Sequence, residues 1–460
     1  MSSHLPRVVV AAAASGTGKT TVATGLVAAL RRRGLVVSPH KVGPDYIDPG
    51  YHALAGDRPG RNLDPWLVGP QRLVPLLRHG ARTPVPADIA VVEGVMGLYD
   101  GVSANVGLAP DFGSTAHVAR LTGAPVVIVL DTRAQARTAA AVVLGLRAFE
   151  PRLRLGGVIL NRVGSAFHER ILREALAEVG VPVLGAIHRR ETLAAPSRHL
   201  GLVPVAERAS ESLAVVDTLA EAVESGVDLD AVLAVARSAP PLTEPAWDPV
   251  AEVGGPVAPN NPVVAVAAGA AFTFGYVETV ELLAAAGARV VGFDPLRDAA
   301  LPAGTAGVVL GGGFPEVYAE ALSANGALRS DLAAFDGPMV AECAGLLYLG
   351  ESLDGVPMVG RLPLRSRMTG GRTLGYREAV AASASCVAAA GEVVRGHEFH
   401  STVTEPEHGE VPAWRWGGSC HGFVAGPGGQ IHASYLHTHW AGYPGAARRF
   451  LEACRDCPGR

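Results

Sequence analysis

Cysteine is scarce in this chain. The 460 residues hold five, Cys343, Cys386, Cys420, Cys454 and Cys457, an odd and irregularly spaced set. That excludes a disulfide-stapled scaffold and points to a reducing, cytoplasmic setting. Cys454-Arg455-Asp456-Cys457 has the spacing of half a zinc site, but alone near the end of the sequence it reads as two surface thiols. Long uncharged apolar runs are missing too. The most apolar piece, Pro262 to Val277, is shorter than the ~20 residues of a membrane helix and rich in Gly and Ala. No signal peptide is expected over Met1 to Val10, because the apolar run there leads straight into a glycine-rich loop. An excess of one charge sign is also absent: a formal charge of −4 leaves no footprint for nucleic acid. What remains is 48% apolar and 18% charged residues, a globular composition with length for two or three domains.

From Arg7 to about Ala206, short β-branched runs alternate with alanine-rich helical stretches. Strands are predicted at Arg7–Ala11, Leu35–Ser38, Ile89–Val92, Pro125–Leu130, Leu155–Leu160 and Val181–Ala186. A helix is predicted at Thr20–Arg33, closed by Gly34, with others at Leu213–Glu224 and Asp230–Arg237. That alternation implies an α/β fold with a parallel sheet. Seven prolines between Ser238 and Pro262 mark a stiff linker, which bounds domains at 1–237 and 263–460. The second domain is again α/β, with strands near Val263–Ala267, Arg289–Phe293, Gly307–Leu310 and Pro338–Ala341. After Gly360 the texture turns to short strands and turns, and no internal repeat is visible.

Ser15-Gly16-Thr17-Gly18-Lys19-Thr20-Thr21 lies between a predicted strand and a predicted helix, the context of a phosphate-binding loop. Glycines there let backbone N–H groups converge on an anion, the helix N-terminus adds its dipole, and Lys19 neutralises the β/γ oxygens of ATP. Ala13 stands where the common pattern has its first glycine. Mg²⁺ needs oxygen donors beside those phosphates, and Thr20 with Glu93, at the carboxyl end of a strand, are the expected ligands. Asp100, in Gly97–Gly101, reads equally as a functional group or a turn residue. Asp45, Tyr46 and Asp48 lie in Lys41–Pro49, which should sit on the same edge; the two aspartates bind metal, position substrate, or serve a proline-bounded turn. Asn161-Arg162 either contacts the nucleotide or caps the next helix.

The second chemical feature is Gly311-Gly312-Gly313-Phe314-Pro315-Glu316 followed by Val340-Ala341-Glu342-Cys343-Ala344-Gly345. A cysteine on a strand-to-helix elbow exposes its sulfur to a helix N-terminus, and small neighbours let the turn close. Backbone donors at Gly312 and Gly313 are expected to hold a tetrahedral oxyanion. The proton carrier is to be found among His397, His400, His432, His437 and His439, with His437 favoured at the end of a strand-like segment. His397 and His400 lack helical zinc spacing and read as structural or substrate-facing.

With these residues in order along the chain, the sequence resembles the a,c-diamide synthases of cobyrinic and hydrogenobyrinic acid. It shares with them the phosphate loop, Lys41–Pro49, Asn62–Asp64, Glu93–Gly101, Arg198–Leu202, Gly311–Glu316 and Ala341–Leu349. The resemblance implies a dethiobiotin-synthetase-like P-loop domain followed by a class I, flavodoxin-like glutamine amidotransferase domain. It implies that Cys343, assisted by His437, releases ammonia from glutamine. ATP with Mg²⁺ then phosphorylates the c and a carboxylates of the corrin in cobalamin biosynthesis, with Asp45, Tyr46, Glu93 and Asp100 touching substrate or metal. Corrinoid, ATP and glutamine are the expected partners, with no nucleic acid or membrane and a homodimer left open. Two positions depart from the pattern. Many class I amidotransferases carry a glutamate two residues after the catalytic histidine, where this chain has His439. An Arg-Asp pair near the start of the second domain is replaced by Ala268-Gly269, which inclines the reading to cobalt-free hydrogenobyrinic acid.

Three rivals are weighed against this reading. Cobyric acid synthase has the same domain order, but Gly43-Pro44-Asp45-Tyr46 stands where it carries another polar motif. A partition-type ATPase switch carries a second lysine in the loop, where this chain has Ala14. A scaffold with an inactive amidotransferase domain fits poorly with an intact Cys343 and His437.

Overall fold

The computed structural model describes residues 4–102, 108–189, 197–198, 201–202, 205, 209–257 and 260–455. The chain divides into two compact units, Met1–Trp247 and Asp248–Arg460. Within the proline-rich stretch, Leu242 and Trp247 are buried, and Pro249–Val253 forms a short helix capped by Asp248.

In the first unit, β1 (Arg7–Ala11), β2 (Val37–Val42), β3 (Arg61–Leu63), β4 (Ile89–Glu93), β5 (Val126–Asp131), β6 (Leu155–Val163) and β7 (Val183–His188) form one sheet. Its order is β3-β2-β4-β1-β5-β6-β7 and every pairing is parallel. The near-continuous apolar runs of β1, β4 and β5 follow from burial on both faces. Helix α1 (Lys19–Arg32) leaves the carboxyl end of β1, where strand order runs outward in both directions. That reversal opens a crevice for ligands. Sequence reasoning placed the second strand at Leu35–Ser38, whereas β2 runs to Val42. Pro39, His40 and Lys41 disguise it. They are nonetheless buried, because Ser38 Oγ meets the His40 ring at 3.0 Å and carboxylates neutralise Lys41. Ser197–Arg198 and Gly201–Leu202 form a small ribbon, β8 and β9; His199 and Leu200, from the Arg198–Leu202 motif, lie outside the described residues.

The second unit contains β10 (Val263–Ala267), β11 (Arg289–Phe293), β12 (Thr305–Leu310) and β13 (Met339–Glu342). With β20 (Phe423–Ala425) and β21 (Ile431–Ser434) they make a sheet of order β11-β10-β12-β13-β21-β20, antiparallel only at β20. Phe272, Phe293, Leu310, Met339, Leu347 and Tyr348 fill its core. A second sheet is built on a ribbon of β16 (Arg365–Ala381) and β17 (Val393–Glu405), joined by the short strands β14 (Ser352–Leu353), β15 (Val356–Pro357), β18 (Trp414–Trp416) and β19 (Ser419–His421), with β22 (His437–Thr438) against β17. The expectation of short strands holds for β18 to β22 but not for the central ribbon. The ribbon is long, but β16 is solvated along much of both faces and interrupted at Gly370-Gly371, so no apolar alternation announces it. Cys454, expected at the surface, is buried beneath β12, with its sulfur against Gly307; Asp456 and Cys457 lie outside the described residues.

Candidate functional site

The loop from Ala12 to Gly18 turns on Gly16 (φ 74°) and Gly18 (φ 94°), left-handed conformations that favour glycine. The loop is braced from β6. Asn161 Nδ2 donates to Thr17 O at 2.9 Å, and Arg162 Nη1 donates to Gly16 O at 2.9 Å and pairs with Asp131 at 2.6 Å. A Cβ on Gly18 would collide with that Asn161 amide. Asn161 does not cap the following helix, whose cap is Ser165. Lys19 Nζ donates to Ala14 O at 3.0 Å and to Met96 O. Burial, then the nearby Lys41 ammonium, lower Lys19 to about 8. An anion in the loop would reverse that. Ser15 is exposed, and Thr17, Thr20 and Thr21 are half-buried at the loop's mouth.

Beside the loop lies a buried charge cluster. Thr20 Oγ1 donates to Glu93 Oε1 at 2.6 Å and stands 3.3 Å from Asp48 Oδ2. Lys41 Nζ bridges the two carboxylates, 2.9 Å from Glu93 and 2.7 Å from Asp48, while His52 Nε2 is 2.7 Å from Glu93 Oε2. Burial alone would raise Glu93, but Lys41 and His52 overcome it and hold the carboxylate well below its ordinary range. Asp48 shares the same ammonium, and burial followed by repulsion from Asp45 raises it. One cation between two buried carboxylates explains the opposite directions. Asp45 spends Oδ1 on the N–H groups of Ile47 and Asp48, the turn that starts α2 (Ile47–Gly56). Asp100 accepts from Gly97 N at 2.8 Å, again in a turn. Tyr46, at the N-cap of α2, is half-buried on the same edge.

In the second unit Cys343 closes β13 and opens the helix Ala344–Leu349. Its φ of 50° and ψ of −98° are strained for a residue with a Cβ. Two hydrogen bonds hold the elbow: Cys343 N donates to Ser434 O at 2.8 Å, and Gly345 N to Gly311 O at 3.0 Å. A Cβ at Gly345 would lie 2.5 Å from Leu310 O, so the close approach requires glycine. Burial, then the Glu316 carboxylate, push the thiol up to about 12, while the N–H groups of Ala344 and Gly313 favour the thiolate. The resting sulfur is therefore a thiol that needs a base. Gly312 does not fill the donor role expected of it. It exchanges both backbone hydrogen bonds with Phe274, each 3.0 Å, and the backbone N–H groups that face the Cys343 sulfur are those of Ala344 and Gly313.

His437 is completely buried, and its Cε1 would stand 2.5 Å from a Cβ on Gly312. Burial first, then His397 and His400, depress it well below the ordinary histidine range, so it is neutral and able to accept a proton. His397 is its cross-strand partner, stacked at 5.0 Å between centroids. His400 stacks on Tyr435 at 3.7 Å, and the Phe399 carbonyl beside it is 3.8 Å from Cys343 Sγ. His432 binds Ser385 and packs on Trp414, and His439 stacks on Tyr276. Sequence reasoning missed Lys41, His52, Glu342 and Ala344. Lys41 left one trace, a charge inside a run that proves to be a buried strand. Together the two units present a nucleotide-phosphate loop with an acidic cluster and a strained thiol with backbone donors.

Two family models match the chain: a CobQ/CobB/MinD/ParA nucleotide binding domain over residues 8–203, and a CobB/CobQ-like glutamine amidotransferase domain over residues 263–444. The chain is 55% identical over 489 residues to the hydrogenobyrinate a,c-diamide synthase of Streptomyces coelicolor, covering 98% of each chain. It is 56% identical over 463 residues to the enzyme of that name from Thermobifida fusca, covering 98% of this chain and 97% of the other. Against the cobyrinate a,c-diamide synthase of Dehalococcoides mccartyi the identity is 40% over 469 residues, with 98% and 99% covered.

Proposed function

The chain belongs to the family of corrin a,c-diamide synthases, and we propose that it amidates the a- and c-carboxylates of hydrogenobyrinic acid in cobalamin biosynthesis. Ammonia comes from glutamine and the driving energy from ATP. One observation carries the reading: a single chain, matched over 98% of its length by relatives of that name, bears both a phosphate loop and a cysteine elbow. Identities of 55% and 56% to the hydrogenobyrinate enzymes, against 40% to a cobyrinate enzyme, favour the cobalt-free ring. No helix among the described residues is long and apolar enough to cross a membrane.

On the glutamine side, Cys343 Sγ attacks the side-chain amide carbon and its proton passes to His437. The Gly313 and Ala344 N–H groups receive the developing oxyanion. The amide C–N bond breaks as His437 returns the proton to nitrogen, leaving ammonia and a glutamyl thioester. Water cleaves that thioester to glutamate and restores the thiol. On the ATP side, the loop amides and Lys19 hold the β- and γ-phosphates. A corrin carboxylate oxygen takes the γ-phosphoryl group to give an acyl phosphate and ADP. Ammonia then adds to the acyl carbon and inorganic phosphate departs. Thr20 Oγ1, Glu93 and Asp48 are hard oxygen donors that fit Mg²⁺. When bound, the ion supplies charge neutralisation at the phosphates. Asn161 and Arg162 set the loop's shape, and Tyr46 and Asp100 stand on the edge where the corrin carboxylate has to arrive.

The test is mass spectrometry of products after incubation with ATP, Mg²⁺ and glutamine, with hydrogenobyrinic and cobyrinic acid in parallel. Two carboxyl-to-amide conversions on hydrogenobyrinic acid are expected. ATP hydrolysis with neither corrinoid converted would overturn the assignment.

A further inference from the structure

The glutamate expected two residues after the catalytic histidine is His439 in this chain, and His439 is occupied elsewhere. It stacks on Tyr276 at 4.1 Å and meets the buried Glu278 at 3.6 Å. A different carboxylate reaches His437. Glu342 Oε2, on the residue immediately before the nucleophile, lies 3.8 Å from His437 Nδ1. Its other oxygen is clamped by the residue next to that histidine: Thr438 Oγ1 donates to Oε1 at 2.7 Å and Thr438 N at 3.2 Å. The carboxylate and the ring are thus tied through one strand, β22.

We infer that Glu342 is the positioning residue of a Cys343–His437–Glu342 triad, holding the His437 ring and stabilising the imidazolium formed when it takes the thiol proton. The inference rests on the glutamine-hydrolysing reading of the elbow. In the step, the Cys343 S–H bond breaks and its proton moves to His437 Nε2, leaving Nδ1–H toward Glu342. The proton later departs with ammonia, and Glu342 itself takes none. A spacing of 3.8 Å is longer than a hydrogen bond, and such contacts commonly tighten only once substrate is bound. The groups facing the pair are His397 and His400 from β17, both of which disfavour the imidazolium, with Glu392 and His432 lining the small cavity that Glu342 shares. Against two histidines and full burial, a carboxylate at Nδ1 is what makes the transfer feasible. Burial raises Glu342 to about 7, so it ionises across neutral pH.

The test compares Glu342→Gln, Glu342→Asp, His437→Ala and the Gln/Ala double variant by glutamate release across pH. Glu342→Gln should lower glutaminase kcat by about 10²–10⁴-fold with KM for glutamine little changed. It should also remove the rise in activity through pH about 7. Glu342→Asp should restore part of the rate, and the double variant should be no slower than His437→Ala alone. Parent-like kcat in Glu342→Gln, or losses that add in full in the double variant, would overturn the inference. Should Glu342→Gln fail to fold, Thr438→Val removes the hydroxyl clamp and is measured in the same way; undiminished glutaminase there overturns it equally. Cys343→Ala separates the two layers. Glutaminase surviving that change sinks the underlying reading, whereas Cys343-dependent glutaminase indifferent to Glu342 sinks the triad alone.

Discussion

Replacing Gly312 with alanine adds one methyl group at a crowded point of the thiol site, against the His437 ring. Gly312 does not have a left-handed φ, so the backbone accepts alanine and the effect is one of space. The new Cβ would lie 2.5 Å from His437 Cε1 and 3.0 Å from Phe274 Cβ. Carbon atoms rest about 3.5–4.0 Å apart, so ring or loop must yield by about 1 Å. Neither gives way easily. Gly312 is bonded to Phe274 in both directions, and the His437 ring is wholly buried and stacked on His397. Overpacking of this kind costs about 1–3 kcal/mol of stability. A displacement of about 1 Å in a catalytic base costs about 10²-fold in rate. Glutamate release should therefore fall about 100-fold in Gly312→Ala, while amidation supported by ammonium chloride stays close to that of the parent. The assay is coupled glutamate detection beside mass spectrometry of the corrinoid. Glutamine-dependent turnover at the parent rate would refute the placement of His437 in the reaction.

Further outcomes follow from the same geometry. Cys343→Ala should abolish glutamine use and spare ammonia as the nitrogen source; loss of both in product analysis would give Cys343 another role. Lys19→Ala should slow amidation from either source by about 10²–10³-fold, and unchanged turnover would remove the phosphate loop from the mechanism. Gly18→Ala forces a left-handed residue onto the Asn161 amide and should raise the KM for ATP without touching glutaminase, as separate kinetics for each half will show. Stability carries a pH signature at Glu342, raised from 4.5 to about 7 by burial. The folded state then holds the proton that the unfolded state releases, so stability falls as pH rises from about 4.5 to about 7 and levels off above. The shift corresponds to about 3 kcal/mol at most, less because 18% of the side chain is exposed. Urea titrations at pH 5 and pH 8 should show Glu342→Gln gaining on the parent at the higher pH. A difference that does not change with pH would mean Glu342 is not buried as a neutral acid.

Much of this protein can be read from local pattern. Parallel strands buried on both faces appear as short β-branched runs, which is why β1, β4 and β10 were found nearly to the residue. The phosphate loop and the cysteine elbow are legible because each is a contiguous segment whose glycines answer a local backbone demand. Elements and roles failed where the decisive partner is far along the chain. β2 carries Pro39, His40 and Lys41, and that lysine is tolerable in a buried strand because Glu93, 52 residues away, joins Asp48 in neutralising it. Asp45 and Asp100 read in one dimension as ligands or as turn residues, and the fold shows one oxygen of each carboxylate accepting from a turn N–H.

The two α/β units, the anion-binding loop and the cysteine elbow follow from local order along the chain, since each depends on residues within a few positions of one another. Tertiary structure decided which backbone amides face Cys343 and which carboxylate meets His437. Gly312 loses its donor to Phe274, 38 residues earlier, and Glu342 reaches a histidine 95 residues later. Hydrogen bonds and ion pairs act over a few ångströms of space, and sequence order fixes such distances only within a turn or a strand.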